Sequence, residues 1–184
     1  EHGHDHEHDP HYWMDPRNAA QTARFIAERL SDADPENAEL YAENAAAVSD
    51  TLNAAYDSWR GQLDGLSCPY LITFHDGFQY FADAFGLELL FAMEEEDGAT
   101  ASARDILTAS QLVREYDLPV VFTERNGSGA AAKAVSGETG VRVDTLSMLM
   151  DGPDAPKSDA DAVLRATYLA LMDENITTLA EVLK

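Results

Sequence analysis

The chain has 184 residues, 45% of them hydrophobic, which suits one ordinary domain or one domain with a helical extension. Its 34 acidic and 12 basic residues give a formal net charge of −22, so nucleic acid and anionic membranes are poor partners, whereas cations are attracted. The single cysteine, Cys68, excludes an internal disulfide and a thiolate zinc cluster, and no apolar run approaches the roughly 18–20 residues needed to cross a bilayer.

The first sixteen residues, EHGHDHEHDPHYWMDP, contain five of the six histidines. An extended chain would place the alternating His2, His4, His6 and His8 on one side, and the acidic residues between them would concentrate cations. We therefore expect residues 1–9 to form a flexible, auxiliary metal-binding loop. The alternative is a solvated linker that binds metal only incidentally.

Two helices are predicted next. Asp15 and Pro16 are typical of a helix start, and the helix covers DPRNAAQTARFIAERLS, residues 15–31. Asp34 and Pro35 begin a second helix that continues to about Leu63 and is roughly 40 Å long. A domain of about 115 residues is only about 34 Å across. The second helix is therefore expected to extend beyond the domain that follows it.

From Cys68 onward, short apolar runs alternate with helical stretches. The predicted strands are YLITF (70–74), LELLFAM (87–93), PVVFTE (119–124) and VRVDTL (141–146). The predicted helices are GFQYFADAF (77–85), TASQLVREY (108–116), GAAAKAVSGETG (129–140) and about 158–184, with a break near Asn175. This alternation predicts an α/β fold with a four-stranded, mostly parallel sheet and helices on both faces.

Polar side chains stand at the ends of three predicted strands. His75 and Asp76 follow the first strand, Glu124 ends the third, and Asp144 lies near the end of the fourth. Ligands of open α/β sheets bind outside the carboxyl ends of the strands, so these residues are expected at one edge. Each also has a structural interpretation, since His75 could be a hydrogen-bonded core residue and Asp144 a turn cap.

If a histidine from residues 1–16 also reached this edge of the sheet, the site would offer nitrogen and oxygen donor atoms and no sulfur. Such a donor set suits Zn²⁺ and also accepts Mn²⁺ or other divalent ions. Taken alone, His11 is a weak signal because it could be the last member of the histidine-rich tail. Glu124 could likewise pair with its neighbour Arg125.

Several motifs, in this order, resemble the cluster A-I solute-binding proteins, the zinc- and manganese-binding components of ABC importers. They are DPHYWMDPRNA (9–19), TFHDGFQYFADAFGL (73–87), VVFTE (120–124), VDTL (143–146) and the closing YLALMDENITTLAEVLK. The resemblance implies two α/β lobes joined by a long rigid helix, with the metal held between the lobes. This sequence matches only the helix and the C-terminal lobe, which implies a histidine-rich loop at 1–9, a ligand motif and helical backbone at 10–66, and an α/β lobe at 67–184.

The resemblance also implies the ligands. The family's metal-binding positions fall on His11, His75 and Asp144, and Glu124 and Asp76 are expected to accept imidazole N–H groups, with Glu124 as an alternative ligand. A histidine at position 75, together with the histidine-rich loop, favours zinc over manganese. The family's fourth ligand comes from the first lobe, so water or a tail histidine such as His8 is expected to replace it.

The function implied is that of a non-enzymatic, extracytoplasmic protein, periplasmic or lipid-anchored, that delivers Zn²⁺ to an ABC permease. A metal buffer made of one lobe is an alternative. A zinc-dependent hydrolase is less favoured because the sequence has no H-E-x-x-H motif. A helix face left without its lobe is further expected to support a homodimer.

Overall fold

The computed structural model describes residues 9–93, 102–127, 129–150 and 165–184. The α-helices are α1 (Pro16–Ala33), α2 (Ala38–Gln62), α3 (Gln79–Phe85), α4 (Ala103–Glu115), α5 (Ala130–Thr139) and α6 (Ala170–Val182). The strands are β1 (Tyr70–Thr73), β2 (Glu88–Ala92), β3 (Val120–Glu124) and β4 (Arg142–Leu146). Short 3-10 turns cover Tyr12–Met14 and Pro35–Asn37, and a π-helical turn, Arg165–Leu169, leads into α6.

The first two helices form a hairpin. Asp15 caps α1 by accepting a hydrogen bond from the Arg17 backbone N–H at 2.8 Å, and Pro16 occupies the first helical position, where no N–H is needed. Small buried residues let the helices approach closely, and the Ser49 hydroxyl donates to the Ala20 carbonyl at 3.0 Å. The two helices therefore pack closely against each other, and the strands of the sheet follow them in the chain.

The four strands form a parallel sheet in the order β2-β1-β3-β4. The chain runs outward from β1 to β2 on one side, and β3 then pairs with β1 on the other side. The gap between the carboxyl ends of β1 and β3 is therefore the switch point at which ligands bind in open α/β sheets. His75 follows β1 and Glu124 ends β3, so both residues flank this point.

Helices cover both faces of the sheet. One core layer joins the sheet to α2, α3 and α6 through buried residues such as Trp59, Phe81 and Ile176. The other joins it to α4 and α5 through residues such as Val113 and Val135. The predicted α/β architecture is thus confirmed, and every strand pairing in the described part of the chain is parallel.

Each predicted strand lies within one residue of an observed one at either end, whereas two helices differ from expectation. Helix α4 begins at Ala103, before the predicted start at residue 108. Helix α6 continues through Asn175, so the predicted break there is wrong. Residues 158–164 of the predicted final helix lie outside the described residues. No helix within the described ranges is long and apolar enough to cross a membrane.

Candidate metal centre

His11 and His75 meet at the carboxyl edge of the sheet. His75 follows β1, and its carbonyl accepts a hydrogen bond from the buried Thr73 hydroxyl at 2.9 Å. His11 directly precedes the 3-10 turn, and its carbonyl accepts from the Met14 N–H at 3.0 Å. The Nε2 atoms of the two imidazoles lie 3.5 Å apart, although 64 positions separate them in the chain.

A carboxylate contacts the other nitrogen of each ring. Asp9 Oδ1 lies 2.7 Å from Nδ1 of His11, and Glu124 Oε2 lies 2.9 Å from Nδ1 of His75. Because an ionised carboxylate only accepts hydrogen bonds, both Nδ1 atoms carry the proton when the rings are neutral. The two Nε2 atoms then present lone pairs to each other. A cation between them is what this donor arrangement suits.

The spacing of the two nitrogens matches a single tetrahedral zinc ion. With Zn–N bonds of about 2.0–2.1 Å and a tetrahedral angle, two ligand nitrogens lie about 3.4 Å apart. The observed separation is 3.5 Å. Carboxylates on the outer nitrogens of zinc-binding histidines fix the tautomer and raise the basicity of the ligand. Both the distance and the outer partners therefore fit zinc.

Three tertiary contacts hold the segment that carries His11. The Trp13 indole Nε1–H donates to the Met148 carbonyl at 3.0 Å, and the Tyr168 hydroxyl donates to the Trp13 carbonyl at 2.7 Å. The Met14 side chain is fully buried in the core. Burial, with a smaller contribution from the charge of Asp15, raises the pKa of Tyr168 far above its usual value. Its hydroxyl therefore stays a hydrogen-bond donor at any physiological pH.

Gly77 gives the His11 ring room beside the β1 turn. A Cβ atom on residue 77 would lie 3.0 Å from both Cγ and Cε1 of His11 and 2.4 Å from the methyl carbon of Met148. The imidazole thus rests against the backbone two residues after His75. This close approach is what allows the two Nε2 atoms to face each other.

The structure places the other predicted site residues differently. The Asp144 carboxylate accepts hydrogen bonds from the Arg142 guanidinium at 2.6 Å and from the Thr145 N–H at 2.9 Å. Asp144 pairs with Phe122, two residues before the end of β4. Within the described residues, no group of three or more His, Cys, Asp or Glu side chains is placed to hold a metal. Asp144 as a ligand therefore stays a prediction.

The other residues predicted for the site are Glu124, Asp76 and the tail histidines. Glu124 contacts His75, whereas Asp76 is exposed at the turn after β1. The tail histidines, His2, His4, His6 and His8, lie outside the described residues.

Two residues that contribute to this site, Asp9 and Tyr168, were not predicted from the sequence. Asp9 was assigned to the flexible loop, yet its Oδ1 also accepts the His11 backbone N–H at 2.8 Å. The Asp-Pro-His order contained this signal, because aspartate often bonds the backbone two residues further on. Tyr168 is 157 positions away from His11, and no local pattern connects the two residues.

Comparison with known proteins identifies the relatives of this chain. The family model described as zinc-uptake complex component A, periplasmic (ZnuA), matches residues 1–182. The chain is 28% identical over 181 residues to the zinc-binding lipoprotein AdcA of Streptococcus pneumoniae, covering 98% of this chain and 35% of that protein. It is 35% identical over 118 residues to the high-affinity zinc uptake system protein ZnuA of Paracoccus denitrificans, covering 64% of this chain and 36% of that protein.

The fold agrees with these sequence matches. A Zn(II)-bound variant of AdcAII from Streptococcus pneumoniae superposes with a TM-score of 0.78 at 30% identity, over 96% of this chain and 61% of that one. The matched part of the chain covers about a third of the length of each of the two curated relatives. The resemblance inferred from the motifs is confirmed: the chain belongs to the ZnuA family of periplasmic zinc-uptake components.

Proposed function

We propose that the protein captures Zn²⁺ outside the cytoplasm at a centre built on His11 and His75 and delivers it to the permease of an ABC importer. The observation that carries this proposal is the 3.5 Å separation of two Nε2 atoms whose rings are each bonded to a carboxylate through Nδ1. Membership of a family described as periplasmic supports the location, and the names of the relatives, a zinc-binding lipoprotein and a zinc uptake protein, support the cargo.

Asp144 is the proposed third ligand. Its carboxylate would have to leave Arg142, whose side chain is 61% exposed and can be rehydrated at modest cost. Water or a tail histidine such as His8 completes the tetrahedron. An open position and the 35% exposure of the His75 side chain suit a site that must also release its metal. Two imidazole donors favour zinc over manganese, which prefers oxygen ligands.

Zinc titration against a competing chelator tests the two histidines. His11→Ala and His75→Ala should each weaken the tightest binding event by more than about 100-fold, because losing only an outer partner of a ligand typically costs 10–100-fold. Deletion of residues 1–8 is the control, and it should remove only the weaker binding. Unchanged affinity in His75→Ala would contradict the proposed centre, and complete loss on the deletion would show that the tail supplies an essential ligand.

We infer that the protein is a carrier rather than an enzyme, since its family is one of zinc-uptake components. The zinc-loaded protein should not turn over ester or phosphoester substrates. Turnover that His75→Ala abolishes would instead favour the zinc-dependent hydrolase. Zinc uptake that requires both this protein and a permease would distinguish transport from metal buffering.

The same proposal includes self-association through the helical hairpin. Four large apolar side chains are exposed on α1 and α2: Phe25, Ile26, Leu30 and Leu40. Ile26 and Leu30 of α1 line one groove together with Tyr41 and Val48 of α2, and an exposed apolar patch of this kind often marks a contact surface. A second copy of this chain is the proposed occupant.

A further inference from the structure

The two histidines of the candidate centre are positioned in different ways. His75 lies two residues after the end of β1, a core strand whose residues Leu71, Ile72 and Thr73 are fully buried. His11 lies on a short segment between Asp9 and the start of α1, outside any strand or α-helix. The separation of the two Nε2 atoms therefore depends on what holds this segment against the rest of the fold.

The Trp13 carbonyl in this segment has no local hydrogen-bond donor. The donor three residues ahead would be the backbone nitrogen of residue 16, but this residue is proline and has no N–H. The donor four residues ahead is the Arg17 N–H, which instead donates to the Asp15 side chain at 2.8 Å. The carbonyl consequently depends on a donor from elsewhere in the chain.

Tyr168 supplies that donor. Its hydroxyl bonds the Trp13 carbonyl at 2.7 Å from the π-helical turn that precedes α6. The Trp13 indole makes a second bond, to the Met148 carbonyl, and its ring contacts the His11 ring edge-on with centroids 5.4 Å apart. A shift of Trp13 would therefore move the imidazole two residues before it.

We propose that Tyr168 is a positioning residue for the metal centre, which sets the place of His11 by holding the Trp13 carbonyl. This inference rests on the proposed function, because it concerns the geometry of the same zinc site. Tyr168 does not touch the metal. It acts through Trp13, and its hydrogen bond connects the segment that carries His11 to the π-helical turn before α6.

The test compares two tyrosines that make the same kind of bond. Tyr168→Phe keeps the ring and removes only the hydroxyl. Tyr56→Phe is the matched control, since the Tyr56 hydroxyl donates to the Ala84 carbonyl at 2.9 Å and joins α2 to α3. Zinc affinity, the visible absorption spectrum of the Co²⁺-substituted protein and the urea midpoint are measured for both variants and for the unmodified protein.

Tyr168→Phe should weaken zinc binding about tenfold, the lower range for loss of an outer partner, and should change the intensity of the Co²⁺ bands. Both variants lose one hydrogen bond and should lower the urea midpoint by similar amounts. Tyr56→Phe should leave the zinc affinity and the Co²⁺ spectrum unchanged. In a His11→Ala background, Tyr168→Phe should cause no further loss, because the ligand it positions is absent.

The outcomes separate the two claims. Zinc binding by the unmodified protein, with equal metal readouts in Tyr168→Phe and Tyr56→Phe, would overturn the positioning role and leave the proposed function standing. The positioning role would also be overturned if Tyr168→Phe weakened zinc binding by the same factor in the His11→Ala background as in the unmodified protein. Failure of the unmodified protein to bind zinc would overturn both claims.

Discussion

At the scale of single residues, the position of two protons decides what the centre can bind. Asp9 and Glu124 each accept from an Nδ1 atom, which leaves both Nε2 atoms of the histidine pair free to bind a metal. If either ring adopted the other tautomer, one Nε2–H would point at the partner ring and block the cation. The carboxylates thus favour the tautomer that metal coordination through Nε2 requires. Because metal-bound imidazoles must be unprotonated, acidification should weaken zinc binding.

Glu124→Gln tests this arrangement. The amide oxygen can still accept from His75 Nδ1, but it is neutral and makes the imidazole a weaker base. Zinc affinity should fall about 10–100-fold, as measured by chelator competition. Glu88→Gln is the control, because Glu88 is exposed at the start of β2, at the opposite end of a strand. An unchanged affinity in Glu124→Gln would show that its contact with His75 is incidental.

At the scale of elements, α6 is fastened to the loop that follows β4. The Asn175 amide oxygen accepts the Ser147 N–H at 2.7 Å, and its amide nitrogen donates to the Ser147 carbonyl at 2.8 Å. Both residues are only 1% exposed. Asparagine is an unfavourable residue in the middle of a helix, which is why the sequence predicted a break here. Two tertiary hydrogen bonds outweigh that local preference.

Asn175→Ala should therefore destabilise the protein. It leaves the Ser147 N–H and carbonyl without these partners in a buried position. Each lost partner costs about 1–3 kcal/mol, so a loss of about 2–6 kcal/mol in the free energy of unfolding is expected. Urea denaturation measures it. Thr177→Ala, at an exposed position of the same helix, should change stability far less. Equal stability of the two variants would contradict this account.

At the scale of the whole molecule, the apolar patch on the hairpin and the net charge of −22 act against each other. The patch favours association of two copies, whereas their like charges repel over about 10 Å at 0.1 M salt. The dimer should therefore become more populated as protein concentration and salt increase. If the proposed dimer forms, the balance between the apolar patch and the charge repulsion should set how much of it is present.

Solution scattering at several salt concentrations tests the dimer. Ile26→Lys places a charge in the patch and should shift the protein toward the monomer. Leu107→Lys is the matched control, because Leu107 is 57% exposed on α4, away from the hairpin, and its substitution should leave the equilibrium little changed. A monomer under every condition would contradict the proposal.

Much of this protein follows from the sequence by itself. The four strands, the hairpin of helices and the carboxyl-end placement of His75 and Glu124 result from local periodicity and turn chemistry, which short segments carry on their own. Family membership was also evident in the order of the motifs. These features depend on neighbours in the chain, so they can be read without knowing the fold.

Only the tertiary structure decided how the pieces meet. The order β2-β1-β3-β4 sets His75 beside Glu124, while the Asp144 carboxylate turns to Arg142. Tyr168 reaches Trp13 across 155 positions. Local preferences do not determine which strands become neighbours. Nor do they determine which distant donor forms a hydrogen bond with a carbonyl that has no local donor. Those choices come from packing the whole chain around its two core layers, which is why the histidine pair and its support emerge only there.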